Sequence, residues 1–128
     1  MPSNLVVLIV EDHPEASASL NLLVEHRPNV TVLSANGFLA AAIWINSAAR
    51  VDLLLCEVLL TGEMSGVDVA ELAVKTHARC AVVLFATAPA ASIEGLCDRY
   101  SFIQRPFKKS EVTDHIDMAV ERCRVGRG

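Results

Sequence analysis

The stretch VDLLLCEVLLTGEMSG, residues 51–66, decides the fold class. An acid, Asp52, is followed by the apolar residues Leu53, Leu54, Leu55 and Cys56 and then by a second acid, Glu57. The chain then loosens into Thr61-Gly62-Glu63-Met64-Ser65-Gly66. A short unbroken apolar run bounded by turn residues reads as a strand buried on both faces. When such a strand carries one carboxylate to its C-terminal end, ahead of a glycine-containing loop, it matches the way open α/β sheets build sites. We therefore predict a strand over 51–56, a loop over 57–65 and a helix opening at Ser65 or Gly66. Val67, Ala70, Ala73 and Val74 should face inward on that helix.

Working outward, the same alternation repeats. LVVLIV (5–10) reads as a buried parallel strand that ends in Glu11-Asp12-His13-Pro14. Pro14 suits the first helical position, where a missing N–H costs nothing. The helix it opens runs to about Arg27, with Ala16, Leu20, Leu23, Val24 and Arg27 at helical spacing. VTVL (30–33) predicts a short edge strand. A helix follows from Asn36 to about Ala49, with Leu39, Ala42, Ile43 and Asn46 on one stripe and Trp44 partly buried beside it. AVVLFA, within 79–86, is a fourth strand. A weak helix is expected over 89–99, anchored by Ile93 and Leu96, then a strand over 100–104. The last helix spans about 108–124, with Val112, Ile116, Ala119, Val120 and Cys123 at helical spacing. Five βα units in succession call for a parallel sheet with helices on both faces.

The totals agree with this layout. The 128 residues suit one domain, which we place at 1–124 with a short frayed tail at 125–128. A hydrophobic fraction of 52% with only 5% aromatics fits doubly buried strands under close helices. The net charge of −4 lacks the basic footprint of general nucleic-acid binding. No apolar run is long enough to span a bilayer and no signal peptide precedes the first strand, so a cytoplasmic, non-membrane protein is expected. The four cysteines, Cys56, Cys80, Cys97 and Cys123, lack metal or disulfide spacing and read as reduced thiols.

In a doubly wound sheet, ligands meet the carboxyl ends of the strands. The residues just past the strands here are Glu11 and Asp12, Glu57, Thr87 and Arg105. An acid after one strand is commonly a cap or a solvated turn, but charged or hydroxyl groups after four strands point to a shared site. Together, VLIVEDHP, DLLLCEVLLTGEMSGVDVA, LFATA and FIQRPF make the chain resemble the receiver domain of bacterial two-component response regulators, over nearly its whole length. The resemblance implies a flavodoxin-like, doubly wound five-stranded parallel sheet of order 2-1-3-4-5 with five helices. It also implies roles: Glu11 and Asp12 as the acidic pair that helps hold Mg²⁺, and Glu57 at the phospho-acceptor position. Thr87 and Arg105 stand where the family contacts the phosphoryl oxygens, and Phe102 where it has a rotamer-switching aromatic.

Two positions depart from that family. It has Asp where this chain has Glu57, and Lys where this chain has Arg105. The extra methylene carries the Glu57 carboxylate about 1.5 Å further into the pocket, and in-line attack depends on placement at that scale. Arg105 is a planar fork suited to clasp a carboxylate, whereas Lys is a mobile point charge. These changes predict a standing cluster of Glu57, Arg105 and the Thr87 hydroxyl that imitates the phosphorylated arrangement. The chain would then be no enzyme but an atypical, phosphorylation-independent pseudo-receiver. The alternative is a Mg²⁺-dependent phosphoryl acceptor using Glu57, with Glu11, Asp12 and Glu57 as metal ligands. A structural network in which Arg105 only neutralises Glu11 and Asp12 is the plainer reading. A flavodoxin-like ligand binder is disfavoured, because EDHP puts charge where a phosphate loop needs glycines.

The remaining residues carry less. His13 reads as a helix-start residue, His26, His77 and His115 as surface or boundary positions, and Lys108-Lys109 as a solvated helix start. No organic cofactor is expected. Without a helix-turn-helix segment, output should pass through a signalling protein, a histidine kinase or a downstream effector. The expected contact face is the fourth helix, fifth strand and fifth helix. Nothing after Arg124 marks a natural stop, so the chain is compatible with being a piece of a longer protein, monomeric or homodimeric.

Overall fold

A computed structural model describes residues 4–127. Its elements are β1 (Leu5–Val10), α1 (Pro14–Glu25), β2 (Val30–Ala35), α2 (Phe38–Ser47), β3 (Leu53–Glu57), α3 (Gly66–Thr76), β4 (Ala81–Ala86), β5 (Ser101–Gln104) and α4 (Lys109–Arg127). All pairings are parallel and the strand order is β2-β1-β3-β4-β5, as expected for a doubly wound, flavodoxin-like sheet.

Alternation along each strand divides the core in two. Leu8 and Val10, Leu54 and Cys56, and Val82 and Leu84 pack with α2 and α3. Their neighbours Leu5, Val7 and Ile9, Leu53 and Leu55, and Val83 and Phe85 pack with α1 and α4. Because side chains alternate faces with a period of two, a central strand covered on both sides must be apolar at every position. That is why β1, β3 and β4 read as unbroken runs. At the base of the sheet, Asp52 is a fastener. Its Oδ2 accepts from the Val6 backbone N–H at 2.8 Å and from Arg50 Nε at 2.9 Å.

The loop after β3 returns very close to the strand end. Gly66 N–H donates to the Val58 carbonyl at 2.7 Å, and a Cβ on Gly66 would lie 2.1 Å from the Glu57 carbonyl oxygen. Only glycine allows this approach. Ser65 then starts α3 with a reciprocal cap: its hydroxyl accepts from Val67 N–H while Asp68 accepts from Ser65 N–H.

Three expectations need correction. The helix expected over 89–99 is absent: a single 3₁₀ turn, Ala90–Ser92, stands there, so the described residues form four α-helices. Pro89 and Gly95, the latter at φ +85°, interrupt a segment whose only apolar anchors are Ile93 and Leu96. Both anchors rest against the α2/α3-side core. The expected contact face therefore consists of this irregular segment, β5 and α4. Second, α2 is rotated from its expected phase. Ala41 and Ile45 are buried, whereas Leu39 is 79% and Ile43 68% exposed. The sequence FLAAAIWINS is apolar on every side, so it holds no periodic signal from which the phase could be read. Third, α4 continues to Arg127 rather than ending near Arg124. Val112, Ile116 and Ala119 are buried as expected; the Val120 and Cys123 side chains and Gly128 lie outside the described residues.

Candidate functional site

Glu11 follows Ile9, Glu57 follows Leu55 and Arg105 follows Ile103 on the side of the sheet that carries α1 and α4. Continuing the strand alternation brings all three side chains to one place above Phe85, which is the register partner of Glu57. Arg105 Nε donates to Glu57 Oε2 at 3.0 Å, and Arg105 Nη2 donates to Glu11 Oε2 at 3.3 Å. One guanidinium thus bridges two carboxylates. The expected fork around Glu57 alone is not formed.

The cation is also flanked by a pair of aromatic rings. Its central carbon lies 5.3 Å from the Phe85 ring centre and 5.2 Å from that of Phe107. Guanidinium planes are attracted to aromatic faces at such distances. Phe85 and Phe107 are themselves in contact, with ring centres 5.3 Å apart. The FIQRPF motif therefore supplies both the cation and one of the two rings beside it. The role of Phe107 was not foreseen; its signal was an aromatic two residues after a charged strand end.

The acids are not equivalent. Glu11 is 4% exposed, and besides Arg105 it accepts from the His13 N–H at 3.2 Å. Asp12 turns away to the loop, where Thr61 donates to its Oδ2 from both the hydroxyl, at 2.7 Å, and the backbone N–H, at 3.0 Å. The Thr61 hydroxyl bond is the main cause holding the Asp12 carboxyl below its usual range. Burial pushes Glu57 above its usual range, with Arg105 opposing and Glu11 and Asp12 reinforcing. Thr61 was also missed, because a threonine in a turn carries no distinguishing pattern.

These groups line a depression of about 510 Å³ with His13, Leu59 and Thr87. Thr87 stands on its rim, exposed, and its carbonyl accepts from Gln104 Nε2 at 3.1 Å. Its hydroxyl bonds neither Glu57 nor Arg105, so the expected three-member cluster becomes Glu57–Arg105–Glu11. Phe102 lies on the other side of the sheet, partly buried against the α2/α3-side core and in register with Leu84.

The acids do not fit a Mg²⁺ ion as arranged. Mg²⁺ requires near-octahedral oxygen at roughly 2.0–2.1 Å. Among the described residues no three acids, histidines or cysteines converge to hold a cation. Glu11 and Glu57 share the guanidinium, and Asp12 is engaged by Thr61. The expected Glu11–Asp12–Glu57 ligand set is thus replaced by an internal cation.

No family model matches the chain. Solved structures do: the signal receiver domain of an HD domain-containing protein from Pseudomonas fluorescens superposes with a TM-score of 0.82, at 17% identity, over 99% of this chain and 94% of that one. The receiver domain of a LuxO-type repressor protein from Vibrio parahaemolyticus gives 0.81 at 16% identity, over 97% and 95%. A response regulator receiver protein from Sinorhizobium medicae gives 0.79 at 14%, over 92% and 95%. The fold is that of a receiver domain. The chain is also similar to the sensory transduction protein LytT of Enterococcus faecalis, 35% identical over 124 residues and covering 88% of this chain. It spans about half of that relative, 47% of its length. Among the described residues no helix of the receiver-like fold is long and apolar enough to cross a membrane.

Proposed function

We propose that this chain is an atypical receiver module of two-component signalling that acts through protein contact, without catalysis and without phosphoryl transfer. One observation carries the reading: Arg105 is bound to Glu57 at 3.0 Å and to Glu11 at 3.3 Å. A carboxylate that attacks phosphorus needs a free oxygen in line and a cation beside the incoming oxygens. Here the acceptor position is one methylene too long, one of its two oxygens, Oε2, is held by Arg105, and the cation bridges two of the acids that would hold a metal. The pocket stands permanently occupied by its own charge. The partner is a signalling protein of the cytoplasm, a histidine kinase or an effector, and the contact face is β5, α4 and the segment between β4 and β5.

Acetyl phosphate with Mg²⁺, followed by intact-mass analysis, tests this reading. The native chain should take up no phosphoryl group. The double variant Glu57→Asp, Arg105→Lys should be labelled at least about 100-fold faster, the scale of effect expected from an ångström of displacement. Stoichiometric labelling of native Glu57 would overturn the proposal in favour of the Mg²⁺-dependent acceptor.

A further inference from the structure

Residues 28–49 contain no Asp, Glu, Lys, Arg or His, so all eleven basic and all fifteen acidic side chains lie elsewhere. The fold gathers this uncharged run on one flank, as the edge strand β2 and the helix α2 that packs beside it. Edge strands of free-standing proteins are commonly guarded by charge, proline or a bulge. VTVLSA has none of these within the strand.

The edge is also open in a defined way. The Asn29 and Ala35 carbonyls accept from the Leu5 and Glu11 N–H groups, on the β1 side. Backbone groups alternate sides along a strand, so those of Val30, Val32 and Ser34 point outward. Trp44 Nε1 donates to the Ser34 carbonyl at 3.0 Å, which places the indole at this same edge. Above it, α2 exposes Leu39 (79%), Ile43 (68%) and Trp44 (39%), an apolar face beside the outward backbone groups of Val30 and Val32.

We infer that this flank binds a second copy of the chain, β2 against β2 about a twofold axis. The occupant follows from charge. A twofold interface sets one patch against itself, so any charge on it meets its own sign. With a net charge of −4, two copies repel over the rest of their surface, and this neutral flank is where they can meet without opposition. A twofold axis standing on the sheet makes the two β2 strands antiparallel. The outward groups of Val30 and Val32 then find partners, the Ser34 carbonyl keeping its bond to Trp44, and the two α2 helices lie side by side on one face of a continuous sheet.

The test is sedimentation of the full chain over concentrations reaching about 1 mM, with amide exchange followed at Val30 and Val32. The native chain should approach twice its monomer mass, and both amides should slow as it does so. The variant Leu39→Lys, Ile43→Lys alters two exposed positions and brings the net charge nearer zero. It should nevertheless stay monomeric over the whole range, with unchanged circular dichroism and fast Val30 and Val32 amides. A native chain that stays monomeric throughout would overturn the inference, whatever other protein the face then binds. So would a dimer that persists in the variant, or one whose Val30 and Val32 amides remain fast. These outcomes are independent of whether Glu57 accepts a phosphoryl group.

Discussion

Glu57 is the residue on which opposing influences meet, and their balance is measurable. Burial raises its pKa above 4.5, and Arg105 only partly offsets that. Between 4.5 and its raised folded value, the folded chain holds more protons at this site than the unfolded chain does. Folding stability contributed by Glu57 therefore falls as pH rises through that window. Asp12 has the opposite sign: its pKa lies below 3.8, so its contribution is present above 3.8 and is lost as pH falls through the lowered value. Glu57→Gln keeps the side chain's size and removes its titration. Urea denaturation at increasing pH from 4.5 upward should show a decline in the native chain that is flattened in the variant. Identical slopes would show that Glu57 does not titrate in that window. The placement of Glu57 and Arg105 at strand ends was legible in the sequence. That the second acid on the guanidinium is Glu11, with Asp12 held by Thr61, was not, because neighbouring residues in a turn give no sign of which way each points.

At the scale of elements, the β3–α3 connection sets the position of the Glu57 side chain. The Gly66 backbone passes so close to the Glu57 carbonyl that an added methyl has no room, and the atoms it would meet are backbone rather than a yielding side chain. Gly66→Ala should cost about 3 kcal/mol, the upper end of overpacking penalties, read as a lowered urea midpoint. A cost under about 0.5 kcal/mol, as at an ordinary surface site, would show that the loop can move aside. β1, β3 and β4 were readable because burial on both faces forces an unbroken apolar run. The phase of α2 was not, since a helix apolar all round contains no period. The missing helix between β4 and β5 was signalled only by Pro89, Gly95 and the scarcity of apolar anchors, against a βα rhythm that suggested another helix.

On the scale of the whole molecule, the irregular segment between β4 and β5 should be the least protected part of the receiver fold. Residues 87–92 are exposed; the apolar side chains that tie the segment to the core are Ile93, Leu96 and Tyr100, with Arg99 donating to the Ala78 and Cys80 carbonyls at its far end. Native-state hydrogen exchange should find amides of residues 88–99 exchanging by local opening, with protection far below that of β1, β3 and β4. Protection equal to the central strands would mean that the segment opens only with the entire domain. This segment also belongs to the proposed contact face, so its low local stability would allow it to order on a partner. The sequence by itself determined the class of fold, because hydrophobic period and turn residues are local and the sheet can bury these runs in few ways. It also determined which side chains stand at the strand ends. Only the tertiary structure decided which of those groups touch, that one guanidinium spans Glu11 and Glu57 beside a contacting pair of phenylalanine rings, and that the uncharged run forms a single flank. Pairing and facing depend on residues far apart in the chain, and their distances exist only once the sheet is assembled.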